Sequence, residues 1–341
     1  MFNIIPQPVS ILINREKKGF TLHAGTTVTP YAFTDEFISF TRKAFNKKVH
    51  KHEDTGDEKS IILKIDENIE HNEGYTLKCE NRRVFINAKT ETGLFYGLQT
   101  LKQMLLQTDG KIPYTEIVDY PRLPYRGFRL DTGKYAYCIG DIKRIADLMS
   151  FHKLNVLHLT GDTQAHYTKD DMQEIVAYCH ERKIKMSDEL SLDNFLYIDS
   201  EKALKDKNLL NSEKMLISSA EYPYSLDYPY GINSIKRVCN YNGDLTDSDV
   251  WGIESRICTD YVPNMKKFEY LAFPRLGAIA ETAWAQKDFQ TFATFIYKAA
   301  DYYKYLDMYE VKYANLKKAH PSFIRKHASA LRFRIKKLKN I

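Results

Sequence analysis

Asp188 and Glu189 are adjacent carboxylates that close the run Ile184-Lys185-Met186-Ser187, which reads as a short strand. Such a pair could serve proton transfer, with burial raising the pKa of one member. Other charged groups mark the ends of apolar runs. Arg126 opens and Asp131 closes Arg126-Gly127-Phe128-Arg129-Leu130-Asp131. Asp162 follows Leu154-Asn155-Val156-Leu157-His158-Leu159-Thr160-Gly161, and Asp227 follows Met215–Ser219 and Tyr224. Asp260 ends a run that starts at Gly252. Parallel strands are buried on both faces, so their polar groups collect at the carboxyl ends. In barrels and open α/β sheets that edge is where ligands sit.

The elements that must carry these residues follow from periodicity. Between Asp131 and Leu154, the residues Ile142, Ile145, Ala146, Met149 and Phe151 recur at helical spacing, so Arg126–Asp162 is a strand–helix–strand unit. Thr168 is placed to cap a helix whose apolar face is Met172, Ile175, Val176 and Cys179. Residues 190 to 212 are polar and weakly patterned. Met215–Ser219 and the run from Gly252 to Asp260 are further strand candidates.

Upstream, residues 1–120 form a small α/β domain. Ile11–Ile13, Phe20–Leu22, Ile61–Ile65, Tyr75–Cys79 and Val84–Ala88 are strands, the last two a hairpin across Glu80–Arg83. Phe33–Phe45 and Thr92–Leu106 are helices. Residues 112–124, with Pro113, Pro121 and Pro124, read as the connector between domains.

Arg-Gly-x-x-Leu-Asp at Arg126, followed by Lys-Leu-Asn-x-x-His-Leu-Thr at Lys153, resembles the opening of the catalytic barrel of glycoside hydrolase family 20, the β-N-acetylhexosaminidases. Gly93–Leu101 resembles the non-catalytic domain that precedes that barrel, Gly252–Asp260 its eighth strand, and Phe268–Glu281 with Trp284 its last helix. The resemblance covers residues 1 to about 189 and about 214 to 314. It implies a fold: an α/β chain with a small N-terminal domain (1–120) followed by a shortened, incomplete (β/α)8 TIM-type barrel (121–314). About five strand candidates stand where eight are needed. Residues 315–341 remain as a basic extension.

The resemblance also implies a chemistry. Family 20 releases a terminal N-acetylhexosamine with retention, using the substrate's own acetamido oxygen as nucleophile. An Asp orients the acetamido group and a Glu protonates the leaving oxygen, supplied by Gly-Gly-Asp-Glu. This chain has no Gly-Gly-Asp-Glu. Asp188 and Glu189 are the available pair. Glu189 alternatively matches the glutamate of the family's third strand, with Asp188 in place of a proline, and a solvated loop pair is a third reading. Arg126 matches an arginine that forks onto sugar hydroxyls; an ion pair with Asp131 or Asp162 is the competing reading. Asp162, Tyr224, Asp227 and Asp260 complete the expected substrate contacts. Three departures stand out: Ser225 falls where a tyrosine is expected, with Tyr224 one residue off; Cys258 replaces a pocket tryptophan; Asp260 replaces a glutamate. His158 reads as a satisfied structural histidine.

The bulk properties bound the alternatives. The 341 residues, 43% hydrophobic, suffice for one large domain or two modest ones. Five widely spaced cysteines show no metal-binding spacing, so free thiols are expected, with no cofactor and no metal. No apolar run approaches the length of a membrane span, and the start lacks a basic segment leading into an apolar one, so a cytoplasmic protein without membrane contact is expected. The net charge of +6 is uneven: Val311–Ile341 holds ten Lys/Arg and no Asp or Glu. A solvated tail is expected, and no nucleic-acid motif accompanies it. The expected partner is an N-acetylhexosamine-containing glycan, together with self-association through the exposed edges of an open barrel.

Overall fold

The computed structural model describes residues 2–53, 59–190, 196–198, 215–218, 224–241, 250–286 and 291–339, with backbone alone for 189, 196–198, 215–218, 250 and 336–339. Two compact units divide the chain. The first is Met1–Arg122 with Glu181–Lys183 and Lys298–Tyr309; the second is Leu123–His180 with Ile184–Tyr297 and Glu310–Ile341.

The first unit contains β1 (Ser10–Asn14), β2 (Phe20–Thr21), β3 (Thr27–Val28), α1 (Thr34–Phe45), β4 (His50–Lys51), β5 (Ser60–Ile65), β6 (Tyr75–Glu80), β7 (Arg83–Ala88), α2 (Glu91–Gln107), β8 (Lys111–Ile112) and β9 (Tyr114–Asp119). Seven strands form one mixed sheet in the order β1-β9-β6-β7-β5-β3-β4. Burial alternates strictly along β6 and β7, the expected hairpin, whose register closes at Glu80 and Arg83. Helix α2 lies directly on this sheet. A Cβ at Gly97 would stand 2.4 Å from Ile86 Cγ2, so only glycine permits the approach. The proline-bounded connector is in part a strand: β9 pairs with both β1 and β6. Pro113 and Pro121 flank β9 and leave its own amides free for the ladder. Two buried polar groups here are paired: Lys102 binds Glu36 and Gln99, and Tyr75 donates to Asp119 at 2.6 Å.

The second unit contains β10 (Tyr125–Asp131), α3 (Ile139–Phe151), β11 (Val156–Thr160), α4 (Thr163–His166), α5 (Lys169–Glu181), β12 (Lys185–Met186), β13 (Leu196–Ile198), β14 (Met215–Ser218), α6 (Ile235–Cys239), β15 (Val250–Cys258), α7 (Met265–Ala272), α8 (Arg275–Trp284), α9 (Phe292–Met308), α10 (Leu316–Ala319) and α11 (Phe323–Lys339). From Lys298 on, α9 belongs to the first unit. Six strands, all parallel, run in the order β12-β11-β10-β15-β14-β13. The order is informative. β10, first in the chain, pairs with β11 on one side and with β15, the last strand, on the other. First-to-last pairing is how a (β/α)8 barrel closes. Among the described residues the opening lies elsewhere, between β12 and β13, so the barrel is incomplete.

Two local expectations change. The single helix over Phe268–Glu281 is two, α7 and α8, because Pro274 between them lacks the amide that a continuous helix needs. The third strand is shorter than expected: β12 has two residues, and Ser187–Glu189 turns into a 3-10 helix. Thr168 caps α5 as expected, accepting from the Asp171 amide at 3.1 Å while Asp171 accepts from Thr168. Among the described residues no helix is long and apolar enough to cross a membrane.

Candidate functional site

Register places the inward-facing side chains of β10, β11 and β15 in layers. From the amino to the carboxyl end these are Gly127, Val156 and Glu254; then Arg129, His158 and Arg256; then Asp131, Thr160 and Cys258. The first layer is made by glycines. Cβ atoms at Gly127 or Gly252 would lie 2.5 and 2.4 Å from Tyr125 atoms, so the Tyr125 ring occupies their place. Its hydroxyl donates to Glu254 Oε2 at 2.6 Å, and His158 Nδ1 meets the same oxygen at 3.1 Å. Glu254 is fully buried, and this partnership explains how a carboxylate is tolerated there. His158 is thereby a satisfied side chain. Arg129 reaches Thr160 Oγ1 at 3.4 Å, while Arg256 Nε is buried without a hydrogen-bond partner among the described residues.

The carboxyl edge above these layers is acidic. Asp227 sits in the loop after β14, where Ser225 bridges to Arg256 of β15. Burial raises its carboxyl above the ordinary aspartate range, opposed by a 2.5 Å hydrogen bond from Ser225 Oγ and by Arg256 and Arg275. Burial also pushes up the Cys258 thiol, and the nearby Asp131, Asp260 and Asp227 add to it, so this cysteine stays protonated and is no nucleophile near neutral pH. Gly161, at φ +94°, brings the loops after β10 and β11 together: a Cβ there would strike Gly133 N at 2.6 Å.

The residues expected to bind substrate divide. Asp227 and Asp260 share the carboxyl edge, with Asp260 exposed in the turn Thr259–Tyr261. Asp162 also lies past a strand end, exposed, and its carboxylate caps α4 through Ala165 N at 3.2 Å. Asp188 is exposed in the 3-10 turn after β12, accepting from Ser187 Oγ at 3.2 Å. The side chain of Glu189 lies outside the described residues. Tyr224 is a correction. It is 1% exposed, packs edge-on against Tyr241, and donates its hydroxyl to the Tyr241 carbonyl at 3.4 Å.

Arg126 is the larger correction, because neither reading of it holds. It starts β10, at the opposite end from the site, and is fully buried. Its guanidinium donates to the carbonyls of Lys153 (2.8 Å), Leu123 (2.8 Å) and Pro124 (3.3 Å) and lies 4.9 Å from the Trp284 ring. Four residues of the strand separate it from Asp131, and the alternation of the strand points it to the outer face.

Arg275 is a positioning residue that sequence reasoning passed over. It lies within the Phe268–Glu281 segment, but its type suggested no role there. Fully buried, it donates to the carbonyls of Leu226 (2.6 Å), Tyr228 (2.9 Å), Asn233 (3.0 Å) and Leu271 (2.6 and 2.9 Å), and so fastens the loop that presents Asp227. Among the described residues no three His, Cys, Asp or Glu side chains are grouped to hold a metal ion.

Comparison with known proteins agrees with this geometry. The model "Glycosyl hydrolase family 20, domain 2" matches residues 1–120, and the family's catalytic-domain model matches 123–165 and 190–287. The matched segments include the polar stretch after Leu190 and omit 166–189, the reverse of the break expected there. Among relatives, β-hexosaminidase subunit β of Sus scrofa is 36% identical over 93 residues, 26% of this chain and 18% of that protein. β-Hexosaminidase of Porphyromonas gingivalis is 31% identical over 158 residues, 35% of this chain and 20% of that protein. The chain thus spans about a fifth of the length of the curated relatives it matches. Among solved structures, the GH20 exo-β-N-acetylglucosaminidase of Vibrio harveyi in complex with N-acetylglucosamine superposes with a TM-score of 0.73 at 14% identity, covering 92% of this chain and 78% of that one. The GH20 β-N-acetylhexosaminidase of Streptomyces coelicolor A3(2) gives 0.72 at 17% identity, covering 92% and 97%. These likenesses establish the fold as that of the family's TIM barrels, and with both domain models matched in order along one chain, the protein belongs to glycosyl hydrolase family 20.

Proposed function

We propose that this chain is a glycosidase of the β-N-acetylhexosaminidase type, holding a terminal N-acetylhexosamine of a glycan at the carboxyl edge of the parallel strands. The observation that carries the reading is Asp227: a half-buried carboxyl at that edge, fixed by Ser225 and the Arg275-fastened loop, near Arg256 and, with Asp131 and Asp260, close to Cys258. Such a group accepts hydrogen bonds from sugar hydroxyls, and Arg256 offers donors from the layer below. Hydrolysis in this reading is retaining and substrate-assisted. The acetamido oxygen attacks the anomeric carbon as the leaving oxygen takes a proton, and water then opens the cyclic intermediate. Asp188 is assigned to orienting the acetamido N–H and Glu189 to proton donation.

A second reading, sugar binding without turnover, is favoured by the exposure of Asp188. In its assigned role Asp188 must hold the acetamido N–H, and an exposed carboxylate gains little from such a hydrogen bond because water competes for it. Turnover of a chromogenic N-acetyl-β-glucosaminide by the wild type and by Glu189→Gln separates the two. Activity in the wild type, lost in the variant, supports hydrolysis by this pair. Equal rates in both remove Glu189 from the mechanism, and no rate above buffer with retained sugar binding supports the second reading.

A further inference from the structure

The basic C-terminal segment is not a solvated tail. Helix α11 docks on the second unit through one face: Phe333 meets the rings of Tyr228 and Tyr261 at 5.5 and 5.6 Å, and a Cβ at Gly231 would strike Ser329 Cβ at 2.4 Å. Between α11 and the carboxyl edge lies an open cavity of about 560 Å³. That volume falls within the range of small-molecule sites.

The cavity wall formed by α11 has a particular pattern. Arg325, Ala328, Ser329 and Arg332 all line it. At 1.5 Å per residue the two arginines are about 10 Å apart along the helix. The small residues between them leave the space, and both arginines border it, with side chains long enough to converge on one group. Neither arginine makes a hydrogen bond or ion pair among the described residues. Opposite them stand Tyr261, Lys267 and Asp227. Three cations therefore face a single carboxylate, and that carboxylate is the one assigned to the sugar.

We propose that this cavity is a subsite for an oxyanion carried by the glycan, a sulfate or a uronate carboxylate, gripped by Arg325 and Arg332 while the N-acetylhexosamine rests at Asp227. The substrate class is then an acidic oligosaccharide. Planar guanidinium forks match the geometry of carboxylate and sulfate oxygens. The placement of the sugar rests on the function proposed above; the cationic trough does not.

The test is calorimetric titration of the full chain at about 0.15 M salt, where exposed charges separated by more than a Debye length are screened. The ligands are a neutral N-acetylhexosamine disaccharide, its sulfated form and a uronate-containing counterpart. At least one acidic form is expected to bind about tenfold tighter than the neutral one. Which acidic form gains more names the oxyanion. Arg325→Ala and Arg332→Ala are expected to abolish that preference. Arg334→Ala, on the same helix but away from the cavity, is expected to keep it. Equal binding of neutral and acidic ligands overturns the subsite and leaves the sugar site standing. Equal losses in Arg334→Ala and Arg332→Ala also overturn it, because they report only the charge of the helix. Acidic ligand bound through Arg325 and Arg332, with no saturable binding of the neutral disaccharide, sustains the subsite and removes the sugar reading.

Discussion

The two ends of the parallel sheet hold their charges differently. At the amino end, Arg126 is fully buried, and acceptors meet its guanidinium on several sides, with Trp284 against its face. Lys153, equally buried, lies 4.4 Å from the same indole ring. At the carboxyl end, Asp131, Asp227 and Asp260 crowd around a protonated thiol, and Arg256 keeps a buried Nε without a partner among the described residues. Charges at the first end complete the structure. Charges at the second are the ones to which we assign the sugar. A charged residue in a barrel motif therefore says little until the end of the strand it occupies is known.

Breaking the amino end should have the largest effect on stability. Arg126→Met strands several buried carbonyls and opens space against Trp284. We expect the second unit to lose about 3–5 kcal/mol in chemical denaturation, while the fraction still folded binds sugar as before. A variant that melts like the wild type but loses sugar would reverse the assignment.

The next effect is acid sensitivity at the same end. His152 follows α3, is fully buried, and has its pKa lowered by burial to about 4. Its contribution is complete above the unfolded value near 6.5 and is lost as the pH falls toward 4. That window corresponds to about 3 kcal/mol. His152→Gln should flatten the stability profile between those limits. An unchanged profile would place the acid sensitivity elsewhere.

A smaller effect of opposite sign is expected at the carboxyl end. The folded pKa of Asp227 is raised, so its ionised form is penalised at neutral pH and relieved as pH falls through that value. Asp227→Asn should melt no lower than the wild type at pH 7, with any gap closing in acid. A lower melting temperature would show that Asp227 serves the structure rather than the site. The smallest effect concerns the open sheet. β12 and β13 have an unpaired side among the described residues, and we expect concentration-dependent self-association in sedimentation. A monomer at all concentrations would contradict this.

Much of the fold could be read from periodicity. The β6–β7 hairpin, α2, and the β10–α3–β11 unit stand where alternation and helical spacing put them, because the period of apolar residues along the chain is set by the element itself. β9 was hidden because its flanking prolines look like a linker, although they lie outside the strand and cost it no hydrogen bond. Periodicity does not carry strand order: the pairing of β10 with β15, more than a hundred positions apart, was legible only through the resemblance, which made them the first and eighth strands of one barrel. Asp227 and Asp260 entered through the family resemblance, and both lie at the carboxyl edge. The places of Arg126 and Tyr224 could not be read, because residue type does not reveal which face or end a side chain takes. Arg275 was missed because its partners are backbone carbonyls, which leave no pattern in the sequence.

The central claim is that the carboxyl edge around Asp227 holds the sugar. Titration of N-acetylglucosamine into the wild type and Asp227→Asn, both verified as folded, tests it most directly. The account predicts saturable binding by the wild type and affinity about tenfold weaker in the variant. Equal affinity in the two proteins, or no saturable binding by the wild type, would contradict it.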